Sequence, residues 1–188
     1  MIIAIDIDDV INDLGVKTAQ LFNRRFNKSL TIDDFVSFDF YEWLSKEDAD
    51  NIVSLFRDKE LWDSLKPISG ARSSIQKLIN DGHKVVFATA TDPVNFNWKV
   101  TWMQEWFPFV NTNSIIRIID KSLLKCDILI DDNMDNLMAT NAVRICVNMP
   151  WNQQSELRDE ARGIVRCNTW NDIIEILNKI NKEFEQDG

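Results

Sequence analysis

Residues 1–13 read MIIAIDIDDVIND. Residues 2–7 alternate and are rich in β-branched side chains, so they predict a strand. That strand runs at once into Asp6, Asp8, Asp9 and Asp13. Like charges so close repel one another, and a buried carboxylate is costly to desolvate. A bound cation is the first candidate to offset that cost.

The size of the chain limits what such a strand can belong to. With 188 residues it can build one good core, or one domain with a modest insert. Hydrophobic residues make up 45% and charged residues 27%, the balance of an ordinary soluble globular protein. The N-terminus has no basic region or cleavage site of a secretory signal, and no apolar run approaches a membrane span of roughly 20 residues. A cytoplasmic protein without a membrane partner is expected. The net charge of −9, with no basic stripe, argues against polymeric nucleic acid as a partner. A small anionic substrate stays compatible, because salt screens the global field beyond about 8–10 Å. Cys126, Cys146 and Cys167 form no CxxC motif or Cys/His cluster, so they are expected to be reduced core residues.

Further strands follow the same logic. KVVFAT (84–89) reads as a buried strand, and SIIRII, DILID, RICVN and GIVRCN as four short ones. Helices are expected from Leu14 to Phe26, over about 70–80, through VNFNWKVTWMQEWF before Pro108, and from a Thr169 N-cap onward. Apolar strands alternating with helices predict an α/β fold, a Rossmann-like parallel sheet flanked by helices. Right-handed crossovers then bring the strand C-termini to one edge, where ligands bind. Residues 14–66 are too long for an ordinary connection. They predict a small helical cap inserted after the first strand, leaving 1–13 and 67–188 as the core domain.

The polar clusters fall where that topology would collect them. Asp6 and Asp8 follow the first strand, Thr89 and Thr91 end the second, Lys99 lies in the next helix, and Asp131 and Asp132 follow DILI. Carboxylates converging from two strands make a hard oxygen site suited to Mg²⁺. A threonine hydroxyl or a backbone N–H can hold a phosphate oxygen, and a lysine supplies a fixed positive charge beside it. An ionised carboxylate there can attack phosphorus. A second carboxyl two residues on emerges on the same side of an extended strand and can serve as acid and base. Asp9 and Asp13 read better as turn or helix N-terminal residues, and Thr91 is balanced between a phosphate contact and a turn before Asp92-Pro93.

DIDDV, VVFAT, Lys99 and LIDD together resemble the four-motif signature of the haloacid dehalogenase-like (HAD) phosphohydrolases. Within that superfamily, DIDDVIND, FRDKELWDSLKPISGA, VVFATAT with NWKVTWMQEWFP, and CDILIDDNMDN are similar to the 5'(3')-deoxyribonucleotidases. The resemblance spans roughly residues 1–140. It implies Asp6 as nucleophile and Asp8 as general acid/base, with the Asp8 backbone carbonyl as a second metal contact. It implies Thr89 and the Ala90 N–H as the phosphate cradle, and Lys99 as the charge steadying a phosphoaspartate. Asp131 and Asp132 become the acidic pair at Mg²⁺, with Asp132 favoured as the direct ligand. The metal set is then Asp6, Asp8, Asp131 and Asp132. The chain departs from the family at Asp9, where glycine is frequent, at Ala90, where close relatives have serine, and at Asn133, where they have arginine. The last departure removes a substrate contact, so nucleotide preference stays open.

The implied reaction is Mg²⁺-dependent hydrolysis of a (deoxy)nucleoside monophosphate through an aspartyl-phosphate, with a sugar phosphate as the rival substrate. Phe40 and Phe56 are the cap aromatics expected to stack on a base. Trp98, Trp102 and Trp106 share one helix face, about 100° from Lys99. That face would pack on the sheet, the cap or a second copy of the chain, so a homodimer stays open. A receiver-like signalling module would place its acidic pair after the first strand, whereas here the doublet comes late.

Overall fold

The computed structural model describes residues 1–155 and 163–186. Six strands form one sheet: β1 (Ile2–Ile5), β2 (Lys84–Thr89), β3 (Ile115–Arg117), β4 (Ile128–Asp131), β5 (Val143–Val147) and β6 (Ile164–Cys167). Their order is β3-β2-β1-β4-β5-β6, and every pairing is parallel. This is the α/β architecture expected from apolar strands alternating with helices. SIIRII and GIVRCN pair over fewer residues than their composition suggested, as both strands lie at sheet edges.

β1 sits between β2 and β4, with Ile5 opposite both Phe87 and Ile130. Ladder bonding continues one residue further, since the Asp6 N–H donates to the Ile130 carbonyl at 2.9 Å. The ends of β1, β2 and β4 therefore lie side by side at the C-terminal edge. Ile3, Ile5, Phe87, Ile128 and Ile130 are completely buried beneath them.

Among the described residues seven α-helices accompany the sheet: α1 (Leu14–Phe26), α2 (Lys46–Leu55), α3 (Lys59–Ser64), α4 (Ala71–Asn80), α5 (Pro93–Trp106), α6 (Met134–Ala139) and α7 (Trp170–Gln186). Their starts follow from local chemistry. Asp92 caps α5 by accepting from the Val94 and Asn95 N–H groups at 2.9 Å, with Pro93 at the first helical position. α7 begins with a reciprocal box: the Asp172 N–H donates to Thr169 Oγ1, and Asp172 Oδ2 accepts from the Thr169 N–H at 2.8 Å. α6 is short and was not evident in the sequence pattern; Asn133 caps it by accepting from the Asp135 and Asn136 N–H groups.

No strand forms between residues 14 and 66. The chain leaves β1 and returns through one neck. Asn12 bridges Pro67, the Lys66 N–H donates to Asp13 Oδ1 at 2.6 Å, and the Ile68 N–H donates to the Ile11 carbonyl at 2.9 Å. Asp13 thus has the turn role its position suggested. The tryptophan face of α5 is covered within the chain. Trp102 donates to the Leu65 carbonyl at 3.1 Å, Trp98 packs on Trp62, and the Lys66 ammonium lies 4.6 Å above the Trp106 ring. All three cysteines are free, with Cys146 and Cys167 buried and Cys126 partly so. No helix among the described residues is long and apolar enough to cross a membrane.

Candidate active site

A cleft of about 320 Å³ opens above the C-terminal edge of β1, β2 and β4. Its floor is lined by Asp6, Asp8, Asp9, Thr89, Ala90, Lys121, Asp131 and Asp132. Phe35, Phe38, Phe40, Phe56 and Trp151 line it as well. Residues from opposite ends of the sequence meet here because the first, second and fourth strands are neighbours.

Asp6, Asp131 and Asp132 present carboxylate oxygens within 4.8 Å of one another, and all three are buried. Asp131 is fully engaged. It accepts from Lys121 Nζ at 2.7 Å, from the Asn133 N–H at 2.9 Å and from Asn136 Nδ2 at 3.1 Å. Asp132 accepts from the Trp151 indole N–H at 2.8 Å. Lys121 also donates to Asp6 Oδ1 at 2.5 Å.

Lys99 lies behind this floor. Its ammonium donates to Thr89 Oγ1 at 2.7 Å and forms an ion pair with Asp8 Oδ2. The other Asp8 oxygen accepts from Asn12 Nδ2 at 3.1 Å. The side chain of Asp8 is thus held by Lys99 and Asn12 and lines the cleft beside the three-carboxylate group, of which it is not a member. Thr91 is not among the residues lining the cleft; its carbonyl accepts from Arg117 Nε at 2.6 Å.

Asp9 sits at φ 55°, and its Oδ1 accepts from the Gly15 N–H at 2.8 Å in the first turn of α1. It is a helix N-terminal residue that also lines the cleft. Gly15 makes this approach easy: a Cβ there would come within 2.5 Å of the tip of the Ile32 side chain and 3.2 Å of Asp9 Oδ1, so both would have to shift.

Five carboxyl groups thus line the cleft, with Lys121 paired to Asp6 and Asp131 and Lys99 paired to Asp8. The titration behaviour reflects the imbalance. Burial pushes Asp6 up to about 6, against the pull of Lys121, with Asp131 and Asp8 adding repulsion. Burial raises Asp9 to about 8, opposed by its bond from Gly15. Burial and the neighbouring Asp131 and Asp6 charges hold Asp132 well above the carboxylate range. Burial alone would lower Lys121, but Asp6 and Asp131 outweigh it and keep the ammonium charged.

Phe40 and Phe56 stack at 6.0 Å with ring planes 29° apart, and Phe35 meets Phe40 edge-on at 5.6 Å. Both aromatics singled out in the sequence therefore share one wall of the cleft. Two members of the site did not stand out there. Lys121 sits on a single 3-10 turn, Lys121–Leu123, capped by Asp120. Its spacing, ten residues ahead of Asp131, was the available signal. Trp151 lies in the Pro150–Ser155 turn after β5, and nothing in its local pattern marked it.

Solved structures share this fold of a parallel sheet flanked by helices. A HAD family hydrolase from Deinococcus radiodurans R1, with bound phosphate and sodium, superposes with a TM-score of 0.65 at 12% identity, over 94% of each chain. A hydrolase from Pseudomonas syringae gives 0.60 at 14% identity, over 95% of this chain and 98% of the other.

The chain belongs to the family described as 5' nucleotidase, deoxy (pyrimidine), cytosolic type C, which matches residues 1–183. The 5'(3')-deoxyribonucleotidase of Bacillus subtilis is 28% identical over 173 residues, 92% of this chain and 95% of the relative. That of Clostridium acetobutylicum is 26% identical over 135 residues, 72% and 74% of the two chains. The chain is accordingly an enzyme, a phosphoric monoester hydrolase.

Proposed function

We propose that this enzyme hydrolyses (deoxy)nucleoside monophosphates, with Asp6 as nucleophile and a divalent cation, Mg²⁺, at the acidic cluster. The observation that carries the reading is the convergence of Asp6, Asp131 and Asp132 beneath an aromatic wall. The donor set fits a hard cation: all three ligand groups are carboxylates, buried together with excess negative charge. Asp6 and Asp132 would hold it, with Asp131 beside them, since Asp131 already has its oxygens engaged by Lys121, Asn133 and Asn136. When bound, Mg²⁺ would neutralise phosphate oxygens and lower the cost of keeping these carboxylates ionised.

The chain's own residues divide the remaining work. Ionised Asp6 attacks phosphorus, forming an aspartyl-phosphate as the ester P–O bond breaks. Asp8 gives its proton to the departing nucleoside oxygen, then takes one from the water that opens the aspartyl-phosphate. Asn12 and Lys99 hold the Asp8 carboxyl in place. Lys99 donates to Thr89 Oγ1, which leaves the Thr89 hydroxyl proton free to point at a phosphate oxygen beside the Ala90 N–H. Lys121, the ammonium in contact with Asp6, is the charge best placed to steady the phosphoaspartate, while Lys99 serves Asp8 and Thr89. Five carboxylates alone would repel a phosphate, so both lysines also make its approach electrostatically acceptable.

Residues 14–66 act as a cap in this reading, entering and leaving through the Asn12–Pro67 neck. They supply the wall of Phe35, Phe38, Phe40 and Phe56, where a base can stack for about 1–3 kcal/mol. A sugar phosphate would leave these rings without a partner. Phosphate release across nucleoside monophosphates and sugar phosphates, with and without Mg²⁺, tests the assignment. Preference for nucleotides with loss of turnover in EDTA supports it; preference for sugar phosphates overturns the substrate class.

A further inference from the structure

Trp151 touches both halves of the cleft. Its indole N–H donates to Asp132 Oδ2 at 2.8 Å. Its ring meets Phe38 at 5.4 Å, with planes inclined by 54°. Phe38 is half exposed, and it belongs to a stretch, residues 35–39, without helix or strand. The contact thus joins an acidic strand end to an aromatic segment without helix or strand, distant from it in sequence.

The support beneath Trp151 is firm. The next residue, Asn152, is buried, and its Nδ2 donates to the Asp132 and Val147 carbonyls, both at 2.8 Å. Arg166 on β6 donates to the Asn152 side chain at 2.9 Å and to its carbonyl at 2.7 Å. The Pro150–Ser155 turn is therefore anchored to β4, β5 and β6, and the indole is held from below. On the Phe38 side of the contact are local turn bonds of Ser37 and Asp39, with Trp43 donating to the Ser37 carbonyl at 3.3 Å.

We propose that Trp151 is a positioning residue that couples the acidic cluster to the aromatic wall: its N–H orients Asp132, and its ring seats Phe38 over the cleft. The inference rests on reading the cluster as a divalent-cation site. A hydrogen bond to the second oxygen of a ligating carboxylate fixes its orientation, and loss of such a support typically weakens metal binding by about 10–100-fold. The same indole then transmits the order of Asp132 to Phe38. Cation and nucleotide favour one arrangement of Trp151, so each strengthens binding of the other by the same factor.

Two substitutions in the full chain separate the two edges of the side chain. Trp151→Phe keeps a ring for Phe38 and loses the N–H; Trp151→Ala loses both. Calorimetric titration with Mg²⁺ alone should show about tenfold weaker binding for Trp151→Phe, with the melting temperature of the metal-free protein unchanged. At saturating Mg²⁺, the KM for a nucleoside monophosphate should rise further in Trp151→Ala than in Trp151→Phe. Mg²⁺ affinity within twofold of wild type in Trp151→Phe, or equal KM values for the two variants, overturns the proposal. A fall in metal-free melting temperature that accounts for the loss overturns it too, because the role is then structural. Wild-type protein that takes up no Mg²⁺ brings down the cation-site reading itself, and the proposal with it.

Discussion

Lys121 Nζ donates to Asp6 Oδ1 at 2.5 Å, joining residues 115 positions apart, and reaches Asp131 Oδ2 with the same ammonium. One cation thus compensates two buried carboxylates. Removing one partner of a buried pair leaves an uncompensated charge and costs about 3–5 kcal/mol. Lys121→Met should therefore destabilise the metal-free protein by about 3 kcal/mol at pH 8. The loss should shrink at pH 5, where Asp6, pushed up to about 6 chiefly by burial, takes up a proton in the folded state. Thermal melts at the two pH values check this; equal losses would mean that the ammonium has no electrostatic role.

Asp6→Asn removes the oxygen proposed as nucleophile and one of the crowded charges. Turnover of a generic aryl phosphate should fall by at least about a thousandfold. Melting temperature without metal should hold or rise, because burial and neighbouring carboxylates oppose ionisation of Asp6 in the folded state. Steady-state assays and a melt on the same sample are sufficient. Substantial retained turnover would exclude Asp6 as the nucleophile.

The pH dependence of stability has a defined sign. Asp6 ionises at about 6 and Asp9 at about 8 in the folded protein, both above the usual value of 3.8. Well below pH 3.8 both are protonated, folded or unfolded, and cost nothing. As pH rises from 4 toward 6 for Asp6, and toward 8 for Asp9, the unfolded chain ionises first and stability is lost. The Asp6 shift alone corresponds to about 3 kcal/mol. Metal-free protein should thus melt at a lower temperature at pH 8 than at pH 5, and added Mg²⁺ should raise the melt more at pH 8. Calorimetric scans with EDTA and with Mg²⁺ provide the comparison.

Asp9→Asn isolates one of these groups. Asparagine tolerates a positive φ and keeps an oxygen for the Gly15 N–H. It also removes an ionisation that burial opposes. The variant should gain about 1–3 kcal/mol at pH 8 and little at pH 4, as read by denaturant unfolding. A loss of stability at pH 8 would show that the Asp9 charge is wanted, for instance by a cation nearby.

Much of this architecture was legible because the local signals agreed. Ile2–Ile5, Lys84–Thr89 and Ile128–Asp131 are apolar runs that end in polar residues, and a parallel sheet must gather such ends at one edge. That gathering made Asp6, Asp8, Thr89, Asp131 and Asp132 visible as a group. Lys99 was legible as a helix lysine, but its partners depend on how α5 packs, and it reached Asp8 and Thr89 rather than Asp6. Lys121 sits on one turn of 3-10 helix, too short for any periodicity to mark it. Trp151 owes its role to the tertiary path of the chain after β5. The phosphate-side role of Thr91 depended on a loop whose geometry is set by Asp92 and Arg117, which neighbouring residue types do not specify.

The paired exit and return at Asn12 and Pro67 has an evolutionary consequence. The two chain segments already meet, so lengthening or shortening the excursion between them changes the entropic cost of closing that loop only logarithmically, about 0.6 kcal/mol for each doubling. The buried carboxylates at the ends of β1 and β4 feel none of that change. Lineages can therefore exchange the excursion wholesale, acquiring new chemical tastes while the hydrolytic machinery stays put.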